Sequence, residues 1–130
     1  MSGPDFWSHL GITIEHAGGD QAVLRMDVPE ALLSPFGTVH GGVLATLFDT
    51  ALAVAVARRL DPPGDRVATR DLHVTYVAFT RDRVLHCRAR LVSLRRRMAV
   101  AEGEVIAGDG TLVAKALATF DVKRAAPASD

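Results

Sequence analysis

The longest apolar stretch of the chain, Gly41–Ala57, carries only three polar side chains, those of Thr46, Asp49 and Thr50. It is 17 residues long, short of the roughly 20 residues that a membrane-spanning helix needs, and a carboxylate lies near its middle. A helix that is apolar on nearly every side has to be surrounded by protein. The pattern therefore predicts a buried central helix that ends before the helix-breaking residues 61–64.

Segments typical of β-strands lie on both sides of this helix. Two strands are predicted before it, at 12–15 and 22–28, joined by a glycine-rich turn at 18–20. Four follow it, at 67–79, 84–95, 99–107 and 112–122. Because the turns between these four are short, we expect them to be antiparallel neighbours in a meander. A curled antiparallel β-sheet would then wrap around the long central α-helix, an α+β order of elements that resembles the hotdog fold.

Three shorter segments complete the organisation. Residues 4–10 are predicted to form a short helical or irregular lead-in that packs Phe6 and Trp7, and residues 29–33 a single helical turn. The small, polar segment 123–130 is predicted to be a disordered tail. At 130 residues the chain has room for one core, so residues 1–122 are expected to form a single domain.

Composition argues against several classes of function. Lys and Arg together number 15, as do Asp and Glu, and this zero net charge argues against a general nucleic-acid binder. The single cysteine, Cys87, forms neither an internal disulfide nor a paired-cysteine metal site, which favours a reducing cytoplasm. No basic segment followed by an apolar run opens the chain, so we expect neither export nor a membrane partner.

The start of the central helix is the first candidate site. Its adjacent glycines, Gly41 and Gly42, would each cost about 1 kcal/mol against alanine inside a helix, and less at its start. There the missing Cβ atoms let a ligand approach exposed backbone N–H groups, and the helix dipole favours an oxyanion. Alternatively, the glycines only permit close packing of helix on sheet, and the pattern alone leaves both interpretations open.

Asp49 is the second candidate. A carboxylate in an apolar helix is costly unless it is paired, protonated or needed, so it either caps a neighbouring loop or serves as a nucleophile or general base. It follows Gly41 by eight residues, about 12 Å along the helix axis. One chain cannot bring its own Asp49 to a carbonyl held at its own Gly41, whereas an antiparallel two-fold partner can. Shared sites and exposed strand edges predict a homodimer, paired again into a homotetramer.

The motif His40-Gly41-Gly42, followed by Asp49 in this order of elements, resembles the phenylacetate-pathway (PaaI-type) acyl-CoA thioesterases, relatives of 4-hydroxybenzoyl-CoA thioesterase. The resemblance covers residues 6–122 and implies hydrolysis of an aromatic or aliphatic acyl-CoA without a metal or bound cofactor. It implies that the Gly41 N–H polarises the thioester carbonyl and that His40 holds the loop or contacts the sulfur side. Asp49 of the opposite subunit would attack the carbonyl or activate a water, and Thr69 would position that water.

The same resemblance implies where the CoA moiety binds. It would contact two groups of residues: Tyr76, Phe79 and Arg81, at and just past the end of the third predicted strand, and Arg95, Arg96 and Arg97 in a turn, near the phosphates. The arginine run has an alternative interpretation as a solvated turn. Ser34 is also a predicted catalytic residue, at a position where relatives often carry Asn or Gln. Its hydroxyl can still donate a hydrogen bond, but with a shorter reach, so it is a departure from the family pattern.

Two other functions are alternatives to a hydrolase: a non-catalytic acyl-CoA-binding module and a hotdog hydratase or dehydratase. Asp49 and the lack of a DNA-binding segment count against the first, and the helix lacks the His and acid arrangement typical of the second. His73 and His86 show no metal-ligand spacing, and no neighbouring motif makes Cys87 a nucleophile.

Overall fold

The computed structural model describes residues 5–61 and 64–125, and its helices and strands follow the predicted order. They are α1 (Phe6–Leu10), β1 (Ile12–Gly18), β2 (Gln21–Asp27), a 3₁₀ turn (Glu30–Leu32), α2 (Gly41–Ala57), β3 (Arg66–Tyr76), β4 (Val84–Leu94), β5 (Met98–Ala107) and β6 (Leu112–Lys123). The central helix α2 has the predicted bounds. None of the helices in the described ranges has the length and hydropathy needed to cross a membrane.

The six strands form one antiparallel sheet in the order β1-β2-β4-β5-β6-β3. β3 pairs with β6, from Arg66 opposite Lys123 to Tyr76 opposite Ala114, and β4 pairs with β2. The expected pairing of β3 with β4 is therefore wrong. Residues 77–83 are here named the crossing segment. The error arose because the third predicted strand, 67–79, included the first three residues of this segment. The crossing segment forms a connection between Tyr76 and Val84 that is long enough to leave the sheet edge and enter its middle.

The core lies between α2 and the sheet, since α2 packs against β2, β3, β4, β5 and β6. Its buried side chains on the sheet side recur every three to four residues and include Leu44, Leu47, Phe48, Ala51 and Leu52. No polar or charged side chain is fully buried in the described part of the chain, so apolar burial, worth about 25 cal/mol per Å², holds this core. One antiparallel sheet packed on one long helix is the predicted α+β hotdog architecture.

One side of α2 is not covered by its own sheet. Gly42 is exposed and Thr46, Asp49 and Thr50 are half-buried, and these four residues are here named the open stripe. Next to the stripe, residues 68–71 of the edge strand β3 are exposed. The expectation of a helix surrounded on every side is thus met only on the sheet side of a single chain.

The two ends of the chain differ from expectation. The Asp5 side chain caps α1 by accepting from the Trp7 and Ser8 amides, and Trp7 packs partly buried against the core. The expected packing of Phe6 is wrong, because its side chain is 60% exposed. In the predicted tail, β6 includes Lys123, and Arg124 donates to backbone carbonyls of the β4–β5 turn at 3.0 and 3.2 Å. Residues 126–130 of that tail lie outside the described residues.

Candidate active site

A tight loop delivers the chain to the start of α2. The Ser34 amide donates to the Thr38 carbonyl at 2.6 Å, and the Gly37 amide donates to the Ser34 carbonyl at 3.0 Å. Gly37 has φ +80°, a left-handed conformation that favours glycine. The crossing segment holds this loop from the other side, since the Val39 amide donates to the Thr80 carbonyl at 3.0 Å. The helix start is therefore fixed by contacts that are remote in sequence.

At the helix start, one backbone amide is left without a protein acceptor. His40 is the N-cap residue, and its Nδ1 accepts from the Gly42 amide at 2.9 Å. The His40 carbonyl accepts from the Val43 amide at 2.9 Å and from the Leu44 amide at 3.4 Å. None of the described residues accepts a hydrogen bond from the Gly41 amide. That N–H group lies at the positive end of the helix dipole and is available to an oxyanion.

Tyr76 fixes the position of Gly41. Its hydroxyl donates to the Gly41 carbonyl at 2.7 Å, a contact that sequence analysis did not predict. A Cβ atom at Gly41 would lie 3.3 Å from the Tyr76 ring, so the close approach of the two residues favours glycine. The last residue of β3 thereby holds the first residue of α2.

Asp49 forms a second cluster with Thr69. The Thr69 hydroxyl donates to Asp49 Oδ1 at 2.6 Å, and no described residue donates to Asp49 Oδ2. Thr69 lies opposite the buried Phe120 in the β3–β6 pair, just before a bulge, which places it on the sheet face that packs on α2. In a single chain the Asp49 side chain is half-buried on the open stripe.

The predicted catalytic residues therefore fall into two groups within one chain. The junction half-site contains His40 and Gly41 and follows the loop that carries Ser34, and the acid half-site contains Asp49 and Thr69. Eight residues of α2 separate Gly41 from Asp49, which is about 12 Å along the axis of the observed helix. A single chain therefore does not bring the two groups together.

Two pockets flank the junction half-site. The first, of about 300 Å³, is lined by Val39, Gly41, Leu44, Tyr76, Val77, Ala78, Phe79, Thr80 and Val113. The second, of about 390 Å³, is lined by Phe6, Leu10, Met26, Ala31, Leu32, Leu33, His40, Gly42, Val43 and Thr46. We name them the crossing pocket and the α1 pocket. Sequence analysis had not singled out the residues of α1 and the 3₁₀ turn as pocket residues; their only signal was apolar side chains outside any strand.

The other predicted contact residues occupy different places. The Ser34 hydroxyl lies 2.8 Å from the Thr38 hydroxyl and accepts from the Phe36 amide at 3.2 Å, so it is engaged within its own loop. Arg81 donates to the Phe36 carbonyl at 3.4 Å, and Phe79, at the crossing pocket, is 92% exposed. The loop of residues 34–39 and the crossing segment both contribute to the lining of the crossing pocket, and Arg81 directly follows Thr80 at its rim.

The turn with Arg95, Arg96 and Arg97 lies at the opposite end of the sheet. Met98, just after it, pairs with Asp121 of β6, whereas Tyr76 pairs with Ala114. Seven residues of β6 separate those two pairs, about 23 Å at 3.3 Å per residue. The three arginine residues are exposed, and one chain does not bring them to the rim that holds Arg81.

Cys87 and His86 lie outside this region. Cys87 is buried in the core, and burial raises the pKa of its thiol well above its usual range, which opposes thiolate formation. His86 Nε2 contacts Glu15 at 2.9 Å near the sheet edge. Among residues 5–61 and 64–125 there is no group of three or more His, Cys, Asp or Glu residues placed to hold a metal ion.

A comparison of the sequence with protein families shows which family the chain belongs to. The model of the Thioesterase superfamily matches residues 36–114, a range that contains His40, Gly41, Asp49, Thr69 and Tyr76. The chain belongs to the thioesterase superfamily. Membership supports a thioester hydrolase, the general reaction class predicted from the sequence.

Three relatives illustrate the range of the thioesterase superfamily around this chain. A thioesterase structure from Haemophilus influenzae is 26% identical with TM-score 0.87, covering 98% of this chain and 88% of that one. A Halobacterium salinarum protein, provisionally named an esterase, is 37% identical over 103 residues, 76% of this chain and 68% of that protein. A 1,4-dihydroxy-2-naphthoyl-CoA hydrolase from Listeria monocytogenes is 34% identical over 53 residues, 41% of this chain and 43% of that enzyme.

Proposed function

We propose that this protein hydrolyses acyl-CoA thioesters at sites shared between two chains. The observation that carries the proposal is the free Gly41 amide at the start of α2, with the Asp49 carboxylate on the open stripe about 12 Å away. An antiparallel two-fold partner brings its own Asp49 beside this Gly41, and the same operation forms a second site. The uncovered stripe and the exposed residues 68–71 of β3 supply the surface for that partner.

The junction half-site stabilises the reacting carbonyl. When a nucleophile adds to the thioester carbon, negative charge develops on the carbonyl oxygen, and the Gly41 N–H and the helix dipole stabilise it. The Tyr76 hydroxyl contributes by holding the Gly41 backbone in place at 2.7 Å. His40 caps the helix through Nδ1, which leaves its Nε2 for the sulfur side of the thioester.

The partner's acid half-site supplies the attack. Asp49 either accepts a proton from a water that adds to the carbonyl carbon, or adds to that carbon itself and forms an anhydride that water then cleaves. In both routes the tetrahedral intermediate expels the CoA thiolate as the carbon–sulfur bond breaks, and the thiolate takes up a proton. Thr69 occupies Oδ1 and thereby orients the carboxylate, with Oδ2 directed to the reaction.

CoA binding draws on both chains in this arrangement. The crossing pocket, with Tyr76 and Phe79, takes the pantetheine arm, and Arg81 lies at its rim. Since the partner's helix runs antiparallel, the far end of the partner's sheet comes to this rim. The arginines 95–97 of that end then contact the CoA phosphates beside Arg81. Within one chain the arginine turn and the Arg81 rim are about 23 Å apart, and the second chain supplies the arginine turn that lies beside this rim.

The finer assignment follows the motif. We place the protein among the PaaI-type acyl-CoA thioesterases, as a homodimer that pairs into a homotetramer and acts in the cytoplasm without a metal or bound cofactor. The His40-Gly41-Gly42 motif with Asp49 supports the subfamily, and the single buried cysteine fits a reducing compartment.

The test is release of CoA from a panel of aryl and aliphatic acyl-CoAs, followed with a thiol reagent. We expect thiol release at a rate that saturates with substrate. A non-catalytic acyl-CoA-binding protein would bind the panel and release no thiol, and a hydratase would change enoyl absorbance without freeing thiol. Either result would overturn the proposal.

A further inference from the structure

We propose that the α1 pocket receives the acyl group of the substrate, and that it selects uncharged, apolar acyl groups of limited length. This inference rests on the proposed thioester hydrolysis. It assigns a role to the N-terminal helix α1 and to the 3₁₀ turn, neither of which contains a fully buried residue.

The position of the pocket supports this assignment. A thioester carbonyl at the Gly41 amide has two substituents, the sulfur with its pantetheine arm and the acyl group. The crossing pocket includes Gly41 itself, whereas His40 and Gly42 line the α1 pocket. The two pockets thus meet the junction half-site from either side, and a substrate held at Gly41 can place one substituent in each.

The chemistry of the lining defines the acyl class. Apart from His40 and Thr46, every residue that lines the α1 pocket is a glycine or has an apolar side chain. Both polar side chains have partners at Gly42, because His40 Nδ1 accepts from its amide and the Thr46 hydroxyl donates to its carbonyl, each at 2.9 Å. Since the proposed reaction places His40 Nε2 at the sulfur side of the thioester, a carboxylate on the acyl group would lose water in the pocket without gaining a charged protein partner.

α1 is held as the outer wall of the pocket. Gly11, at φ +76°, ends this helix, and its carbonyl accepts from the Asp27 amide at 2.9 Å, which ties α1 to the end of β2. Phe6 and Leu10 line the pocket, and the 60% exposure of Phe6 is consistent with a ring at its mouth. Met26, fully buried in β2, closes the inner end.

The size of the pocket limits the acyl group. Its volume of about 390 Å³ lies near the lower end of the roughly 300–1,000 Å³ that small-molecule pockets span. An acyl chain longer than the pocket must displace α1 or extend past Phe6 into water. The structure therefore assigns chain-length selection to the residues around Phe6 and Leu33.

The test compares two pocket variants with a matched control. Leu33→Trp fills the pocket, Phe6→Ala opens its mouth, and Leu117→Trp adds the same indole to a site on β6 that is 47% exposed and outside the pocket. The value of kcat/KM is measured for straight-chain acyl-CoAs from acetyl to dodecanoyl, and for glutaryl-CoA against pentanoyl-CoA.

We expect wild-type kcat/KM to rise with chain length to a maximum, and glutaryl-CoA to be at least about 100-fold poorer than pentanoyl-CoA. Leu33→Trp should lower the decanoyl-to-acetyl ratio of kcat/KM at least tenfold, Phe6→Ala should move the maximum to longer chains, and Leu117→Trp should leave the profile unchanged. An identical profile in folded, active samples of all four proteins would overturn the pocket assignment while the hydrolase function stands.

A binding measurement keeps the assignment testable if no thioester is hydrolysed, the result that would overturn the proposed function. The non-hydrolysable thioether octyl-CoA is titrated into protein carrying ¹³C-methyl methionine, where Met26 is one of three methionine signals. We expect the Met26 methyl resonance to shift on binding, and the apparent Kd to rise at least tenfold in Leu33→Trp but not in Leu117→Trp. Binding without any shift at Met26 would overturn the assignment.

Discussion

Phe48 and Asp49 are adjacent in sequence and lie on different sides of α2. Phe48 is fully buried against the sheet, whereas Asp49 is half-buried on the open stripe and bonded to Thr69. The apolar side chains on the sheet side of α2 are buried against the strands of the same chain. The open side carries the polar side chains of Thr46, Asp49 and Thr50, and the helix start beside it carries the Gly41 amide, which has no acceptor among the described residues. The comparison indicates that the sheet side of α2 stabilises the fold, whereas its open side contributes to the proposed site that a second chain completes.

The sharpest test of the open side is Asp49→Asn, which keeps the shape of the side chain and removes its charge and basicity. We expect kcat for acyl-CoA hydrolysis to fall about 10²–10⁴-fold, the usual contribution of a nucleophile or general base. The thermal transition should persist, because the Asp49 side chain is half-buried and is not one of the fully buried core residues. An unchanged kcat would reduce Asp49 to a structural acid.

Subunit mixing shows whether two chains share each site. Asp49→Asn protein is mixed with Gly41→Ala protein, whose new Cβ would press on the Tyr76 ring at 3.3 Å. In a hybrid dimer one of two sites combines an intact Gly41 with an intact Asp49, so a statistical mixture should recover about a quarter of wild-type activity. Demonstrable exchange of subunits without recovery would mean that each chain builds its own site.

On the sheet side the expected effect is on stability. Phe48→Ala removes a fully buried ring and should lower the free energy of unfolding by about 3–5 kcal/mol, measured by denaturant titration. The matched control is Leu117→Ala on the exposed face of β6, where a change of about 0.5 kcal/mol is expected. Equal losses in the two variants would contradict the division of α2 into a core side and an open side.

The arginine turn tests the contribution of the second chain to binding. Replacing Arg95, Arg96 and Arg97 with alanine should raise KM for acyl-CoA by roughly tenfold and spare acyl-pantetheine substrates. The physical reason is that charge-assisted contacts to phosphates, remote from the carbonyl, contribute mainly uniform binding. Equal losses on both substrates would instead assign these residues to the structure of the turn.

Tyr76→Phe tests the hold on Gly41 at a smaller scale. It removes one hydrogen bond of 2.7 Å, worth about 0.5–1.5 kcal/mol, while the ring stays in place. We expect kcat to fall by up to about tenfold with little change in KM, since only the placement of the oxyanion donor is loosened. A change confined to KM would indicate that Tyr76 acts through the substrate instead.

The smallest effect is a pH dependence away from the site. The Arg70 guanidinium hydrogen-bonds Asp121 at 2.7 and 2.9 Å and holds the pKa of that carboxyl below its usual 3.8. Because the folded pKa is the lower one, the stabilisation is present above pH 3.8 and is lost as pH falls through the folded pKa. Asp121→Asn should therefore flatten the acid limb of the melting temperature slightly, because the pair is solvent-exposed. An acid limb as steep as that of the wild type would contradict this assignment.

Local sequence patterns were enough to predict the helices and strands, and to single out the His40-Gly41-Gly42 motif and Asp49 as candidate site residues. The apolar run of α2 and the alternation in the strands depend on neighbours a few positions apart, so their bounds could be predicted from the sequence to within a few residues. The His40-Gly41-Gly42 motif and Asp49 stand out because they break that pattern. The β3–β4 pairing failed because the route of the crossing segment depends on which sheet edge is free, and no short-range pattern records this.

By itself the sequence determined the helix, the number of strands and the separation of Gly41 from Asp49, because each depends only on helix geometry and on periodicity along the chain. Only the tertiary structure decided that Tyr76 would hold Gly41, that Thr69 would meet Asp49, and that α1 would close a pocket beside His40. Those contacts join residues 20 to 35 positions apart or more, and they form only after the sheet has closed over one side of α2. Side-chain identity alone carries no record of that closure.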